Sequence, residues 1–194
     1  LGDANPLVAL GAARALGAIG PKAAAAEGKL AEMIAAGPPP ARVMAADALA
    51  RIAPSAAAAA EAIMKGVCDD DQRVSQACAE SLLKFDPAIV GQALAKKIAD
   101  PKVSATYGLV TIVKALPPEA LKDALAPLTL LIARNRSFGA ALGQALIEKV
   151  EPTPQCLPGL LAVLKDTTRL DSIHGFSESP GEMKDARPYA VWAV

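Results

Sequence analysis

The stretch Ala12-Ala13-Arg14-Ala15-Leu16-Gly17-Ala18-Ile19-Gly20-Pro21 decides the fold of this 194-residue chain. Alanine is the strongest helix former because it loses no side-chain entropy on folding. Leu16 and Ile19 stand three residues apart, which puts their bulk on one side of such a helix. Gly20 and Pro21 then end it, the glycine through its backbone freedom and the proline through its missing N–H. Taken alone, this is an alanine-rich helix followed by a breaker.

Outward from Pro21, prolines recur at Pro54, Pro87, Pro118 and Pro152, at spacings of 33, 33, 31 and 34 residues. A near-constant period of this size marks stacked helical repeats. Two residues before each proline stands a large apolar side chain: Ile19, Ile52, Phe85, Leu116 and Val150. Five before it come Leu16, Leu49, Leu82, Val113 and Ile147. Nine before it come Ala12, Ala45, Cys78, Leu109 and Gly143, and thirteen before it Val8, Ala41, Val74, Ala105 and Gly139. Steps of four, four and three trace one stripe of an α-helix, so these positions are the expected core in every unit. The small residues gather at the start of the stripe and the large ones at its end, a taper that would curve a stack.

A second apolar series follows each proline. It reads Ala23, Leu30 and Ile34, then Ala56, Ile63 and Val67, then a shorter Ile89, Leu94 and Ile98. The fourth is Leu121, Leu125, Leu128 and Ile132, the fifth Leu157, Leu160, Leu161 and Leu164. Each unit is therefore a first helix, a proline turn and a second helix. The links Gly37-Pro38-Pro39-Pro40, Asp69-Asp70-Asp71, Asp100-Pro101 and Asn135-Arg136-Ser137 carry breaker or cap residues. Asp47 with Arg51, and Glu80 with Lys84, are expected i, i+4 ion pairs on the solvated side of the first helices. One helix pair cannot bury its stripe alone, so the units must stack. The expected fold is all-α: a right-handed α-α superhelix of about five helix pairs. Its units would span 1–37, 38–69, 70–100, 101–134 and 135–168. Residues 169–194 would add a loop and the start of a further helix.

The run Asp3-Ala4-Asn5-Pro6-Leu7-Val8, followed by Ala12 to Pro21, resembles a HEAT repeat of the short bacterial kind also seen in phycobilisome-lyase-type proteins. The second unit matches through Ala45-Ala46-Asp47-Ala48-Leu49-Ala50-Arg51-Ile52-Ala53-Pro54. The third matches through Asp71-Gln72-Arg73-Val74 and Ala77-Cys78-Ala79, while the fourth and fifth depart from the pattern at Leu109-Val110 and Gly143-Gln144. The resemblance spans about residues 1–168 and is strongest up to Pro87. It implies an armadillo-like scaffold without enzymatic activity that binds a protein or peptide on the concave face lined by the second helices. Candidate binding residues there are Lys22, Glu27, Glu32, Glu61, Lys65, Lys96, Lys97, Lys122 and Asp123. Their mixed signs suit a protein or peptide partner. Two other readings stand beside this one: a HEAT-like enzyme of the bilin-lyase or DNA-glycosylase type, and a structural segment of a larger multidomain protein.

Composition narrows the choice. Lys+Arg and Asp+Glu both number 20, so the chain lacks the basic excess with which nucleic-acid binders displace counterions. Aromatics make up 3% of a chain that is 53% apolar, and no alternating run suggests strands. Cys68, Cys78 and Cys156 form no CxxC pair, which weighs against a disulfide framework or a zinc cage. Cys78 lies on the core stripe; the lyase reading would need Cys68 or Cys156 as an exposed thioether anchor. His174 is the only histidine and sits in the polar stretch 166–184, too few imidazoles for the iron site of HEAT-like hydroxylases. Asp69-Asp70-Asp71 lacks the glycine and distal Glu of a calcium loop and reads as a helix cap. No catalytic residue, cofactor or metal is therefore expected. No apolar run reaches the roughly 18 residues of a membrane span, so no membrane insertion is expected. The chain opens at Leu1 without a signal-peptide pattern and closes at Val194 inside an apolar stripe containing Tyr189, Val191 and Trp192. We expect a piece of a longer protein, leaning towards a cytoplasmic setting, with a periplasmic one open if a longer chain supplies the leader.

Overall fold

Helix starts follow the cap residues. In the computed structural model, which describes residues 1–3 and 5–149, the Asn5 side chain accepts a hydrogen bond from the Leu7 N–H at the start of α1 (Pro6–Ile19). Asp71 does the same for Arg73 at the start of α5 (Gln72–Leu82), and Asp86 for Ala88 at α6 (Pro87–Ile98). Asn5 and Asp71 each lie 16 residues before the proline of their own unit, so the cap keeps the repeat register. Pro39, Pro87 and Pro118 sit at helix starts, where an absent N–H costs nothing. Gly20 closes α1 with φ +69°, a conformation that favours glycine.

The remaining helices are α2 (Glu27–Ala36), α3 (Pro39–Ile52), α4 (Ala57–Val67), α7 (Tyr107–Ala115), α8 (Pro118–Leu121), α9 (Leu125–Arg134) and α10 (Arg136–Ile147). Short 3₁₀ segments, Gly20–Ala26 and Lys122–Ala124, lead into α2 and α9. The described residues contain no strand, and no helix among them is long and apolar enough to cross a membrane.

The helices pack in two series. The first helices touch in the order α1, α3, α5, α7, α10, and the second helices in the order α2, α4, α6, α9. Between the series, α2 rests on α3, α4 on α5 and α9 on α10. The core is the space between them. Ala41, Ala45, Leu49 and Ile52 of the second unit are no more than 3% exposed. Val74, Cys78, Leu82 and Phe85 of the third are no more than 5% exposed, and Ala105, Leu109, Val113 and Leu116 of the fourth no more than 6%.

The first unit departs from this expectation. Val8 is 50% and Ile19 55% exposed, with Ala12 and Leu16 half-buried. Helix α1 buries Ala9, Ala13 and Gly17 instead, turning them towards α3. A Cβ on Gly17 would stand 2.9 Å from the Ala48 Cα, which shows how closely the two helices approach. The stripe is open in α1 because no described element covers it.

The second helices bury pairs of large aliphatic side chains four residues apart: Leu30 with Ile34, Ile63 with Val67, Leu94 with Ile98, Leu128 with Ile132. The shorter third apolar series does not come with a shorter helix. Helix α6 has 12 residues against 10 in α2 and 11 in α4, and Val90 rather than half-buried Ile89 carries the burial in its first turn.

Polar links join segments far apart in the chain. Ser75 Oγ and Thr106 Oγ1 both donate to the Val67 carbonyl, at 2.7 and 2.6 Å, and Ser75 Oγ accepts from the Gly108 N–H at 3.0 Å. Arg134 donates to the Pro101 carbonyl and Lys149 to that of Leu116. Two side chains differ from the sequence expectation. Lys84 does not pair with Glu80 on its own helix. It reaches Asp47 on α3 at 2.7 Å, while Glu80 accepts from Gln76 and Asp47 also holds Arg51 at 3.0 Å. Asn135 stands at the N-cap of α10, but its side chain makes no cap bond. Its Oδ1 accepts from the Ala105 N–H at 2.9 Å and its amide donates to the Leu131 carbonyl, joining two links.

Candidate functional site

The layer of second helices carries most of the charged residues singled out from the sequence. Lys22 is exposed in the 3₁₀ segment before α2, and Glu27 is half-buried as the first residue of α2. Glu32 is exposed on α2 and accepts from Lys29 at 2.7 Å, a partner the sequence reading missed. Glu61 of α4 and Lys96 of α6 meet at 2.6 Å across the gap between their helices. Lys65 ends α4 exposed, and Lys97 ends α6 half-buried. Lys122 and Asp123 are exposed in the 3₁₀ segment that packs on α6.

Of the nine candidates, the structure thus brings Glu61 and Lys96 into direct contact. Lys65, Lys97, Lys122 and Asp123 form no ion pair among the described residues. Lys65, Lys96 and Lys97 occupy the last turns of α4 and α6, where cations also offset the negative end of the helix dipole. Exposed Leu130 on α9 belongs to the same layer.

The opposite layer has a feature that the sequence reading passed over. An open depression of about 410 Å³ follows α5, lined by Gln72, Arg73, Gln76, Ala77 and Glu80. These positions form one polar helix face behind Val74, Cys78 and Leu82, so the helical period alone would have placed them together.

Neither described thiol is set up to react. Burial pushes the Cys68 thiol up to about 11, against a small opposing effect of the Lys97 ammonium. Burial pushes Cys78 up to about 12, with the Asp69 carboxylate adding to the rise and Arg42 opposing it. Both stay protonated near neutrality, which disfavours them as nucleophiles or thioether anchors. Asp69 forms a largely buried ion pair with Arg42 and accepts from the Asp71 N–H. Asp71 caps α5; its bonds from the Arg73 side chain hold its carboxyl below the usual carboxylate range. The aspartate run is thus engaged in local structure. Among the described residues no group of three or more His, Cys, Asp or Glu side chains is placed to hold a metal ion. Cys156, His174, the second helix of the fifth unit, the stretch 166–184, and Tyr189, Val191 and Trp192 lie outside the described residues.

With these features, the chain was compared with protein-family models, curated proteins and solved structures, and none matches it.

Proposed function

We propose that this chain is a right-handed α-solenoid of HEAT-like units that acts as a scaffold, without chemistry of its own, binding a protein or peptide on the concave surface lined by its second helices. The observation that carries the reading is the spacing of the links between units. The bonds Asp47–Lys84, Glu61–Lys96, Ser75–Gly108, Gln76–Thr111, Leu116–Lys149 and Ala105–Asn135 join residues 30 to 37 apart. That is close to one repeat, the separation expected where successive units stack. Such a stack presents a long row of second helices, and elongated surfaces of this sort suit extended protein partners. Lys65, Lys97, Lys122 and Asp123 form no ion pair among the described residues, so their charges are available to a partner.

The test is quantitative affinity capture from a cell extract with three baits: the native chain, Lys65→Glu/Lys97→Glu, and Arg73→Glu on the opposite layer. The double variant should lose interactors that the native and Arg73→Glu baits retain, with unchanged far-UV circular dichroism. Those interactors should also fall away as salt shortens the Debye length below about 8 Å. An identical interactor set for all three baits would refute binding on the second-helix face.

A further inference from the structure

The second helices share an outward register. Two residues on from the first of each buried pair (Leu30, Ile63, Leu94 and Leu128) stand Glu32, Lys65, Lys96 and Leu130. All four are exposed, and the helices that carry them pack in order, α2 on α4, α4 on α6 and α6 on α9. The position three residues further on is a neighbour on the helix surface, and it is small throughout: Ala35, Cys68, Ala99 and Ala133. One long side chain per helix therefore stands beside a shelf of short ones.

Charge along this row is uneven. At α2, Lys22 and Lys29 balance Glu27 and Glu32, and Lys29 holds Glu32 at 2.7 Å. On α4 and α6 together, Lys65, Lys96 and Lys97 face Glu61 alone. Glu61 binds Lys96 at 2.6 Å, which takes one of the three donors on that ammonium. Lys97 lies near enough to the end of α4 for its charge to act on the Cys68 thiol. Of the acids in the adjoining links, Asp69 pairs with Arg42 and Asp100 accepts from the Lys102 N–H, while Asp70 is exposed. Beyond α6, Glu119 and Asp123 outnumber Lys122. Leu130, 41% exposed, is the one large apolar side chain open on the second helices among the described residues.

We propose that this row is a docking strip for an extended acidic peptide segment of a partner protein. Its carboxylates lie over Lys65 and over Lys96 with Lys97, and a large apolar residue rests on Leu130. The occupant follows from charge complementarity: a basic excess confined to α4 and α6, in a chain of zero net charge, selects carboxylates. Continuation of the row to Leu130 selects a peptide over a single anion. Packed helices lie about 8–10 Å apart, and an extended chain rises about 3.3 Å per residue. One helix is thus crossed about every three residues. The matching segment carries two acids about three residues apart and an apolar side chain about three residues beyond the second. Glu32 bounds the strip, because a further carboxylate over α2 meets like charge. This inference deepens the second-helix reading and rests on it.

The probe is a phage-displayed library of random peptides, selected on the immobilised full chain. Enriched peptides should carry the two acids and the apolar residue at this spacing. Made synthetically and measured by fluorescence anisotropy, they should bind Lys65→Glu/Lys97→Glu at least about tenfold more weakly than the native chain. Arg73→Glu on the opposite layer should leave their affinity unchanged. Selection on Leu130→Ser should lose the apolar preference and keep the acidic one. Enriched peptides that lose affinity for the double lysine variant but lack the acids or their spacing overturn this proposal and leave the second-helix reading standing. Peptides that bind the double variant as tightly as the native chain overturn both, as does enrichment no greater than on the bare support.

Discussion

Gly66 shows how a single atom sets the spacing between α4 and α5. A Cβ built there would stand 2.5 Å from the Cys78 sulfur and 3.3 Å from Ile34 Cγ2. Alanine favours a helix over glycine by about 1 kcal/mol, but overpacking costs typically 1–3 kcal/mol. Gly66→Ala should therefore lower unfolding stability by about 1 kcal/mol net. The obstacle is one side-chain atom, so adding Cys78→Ala should recover part of the loss, measured by urea denaturation of both variants. Gly91 gives the contrasting case, since its missing Cβ would meet the Ala120 carbonyl, a backbone atom that no side-chain substitution removes.

Among the elements, α1 and α3 carry the same pattern with opposite consequences. Ile19 and Ile52 hold the same position relative to Pro21 and Pro54, yet Ile19 is exposed and Ile52 buried. Ile19→Lys should change stability by less than about 0.5 kcal/mol, as surface substitutions do. Ile52→Lys would bury an unpaired ammonium between α3 and its neighbours, and should cost more than about 3 kcal/mol or prevent folding. Thermal melts of the two variants measure the contrast. Equal losses would mean that Ile19 is covered in solution.

For the whole molecule, the ion pair between α3 and α5 reports on stacking. Partial burial works against the charge of Asp47, but the Lys84 ammonium and the Arg51 guanidinium outweigh it and hold the carboxyl below its ordinary value of 3.8. A carboxyl lowered in the folded state adds stability above its unfolded value, and loses it as the pH falls through the folded one. A double-mutant cycle with Asp47→Asn and Lys84→Met should therefore give a coupling of about 0.2–1 kcal/mol at neutral pH. The coupling should hold down to about pH 4 and shrink below it, where Asp47 takes up its proton. A coupling that stayed constant into acid would show that the contact is not electrostatic.

The sequence by itself determined which segments are helical, where they begin and which stripe of each is apolar. Those properties follow from local chemistry: alanine propensity, Asn5, Asp71 and Asp86 as caps, prolines at helix starts, and a 3.6-residue period. It also marked the charged residues of the second helices. Only the tertiary structure decided which stripes are covered, because burial depends on a neighbour that no local pattern contains. Ile19 and Ile52 are alike in sequence and unlike in fate for that reason. The same holds for long or branched polar groups with a choice of partners. Lys84 had Glu80 one turn away and took Asp47 on the adjoining helix, and Asn135, at the N-cap of α10, turned its side chain to the Ala105 N–H instead. What the chain writes locally is a helix; the contacts between helices are settled by which surfaces the fold brings within reach.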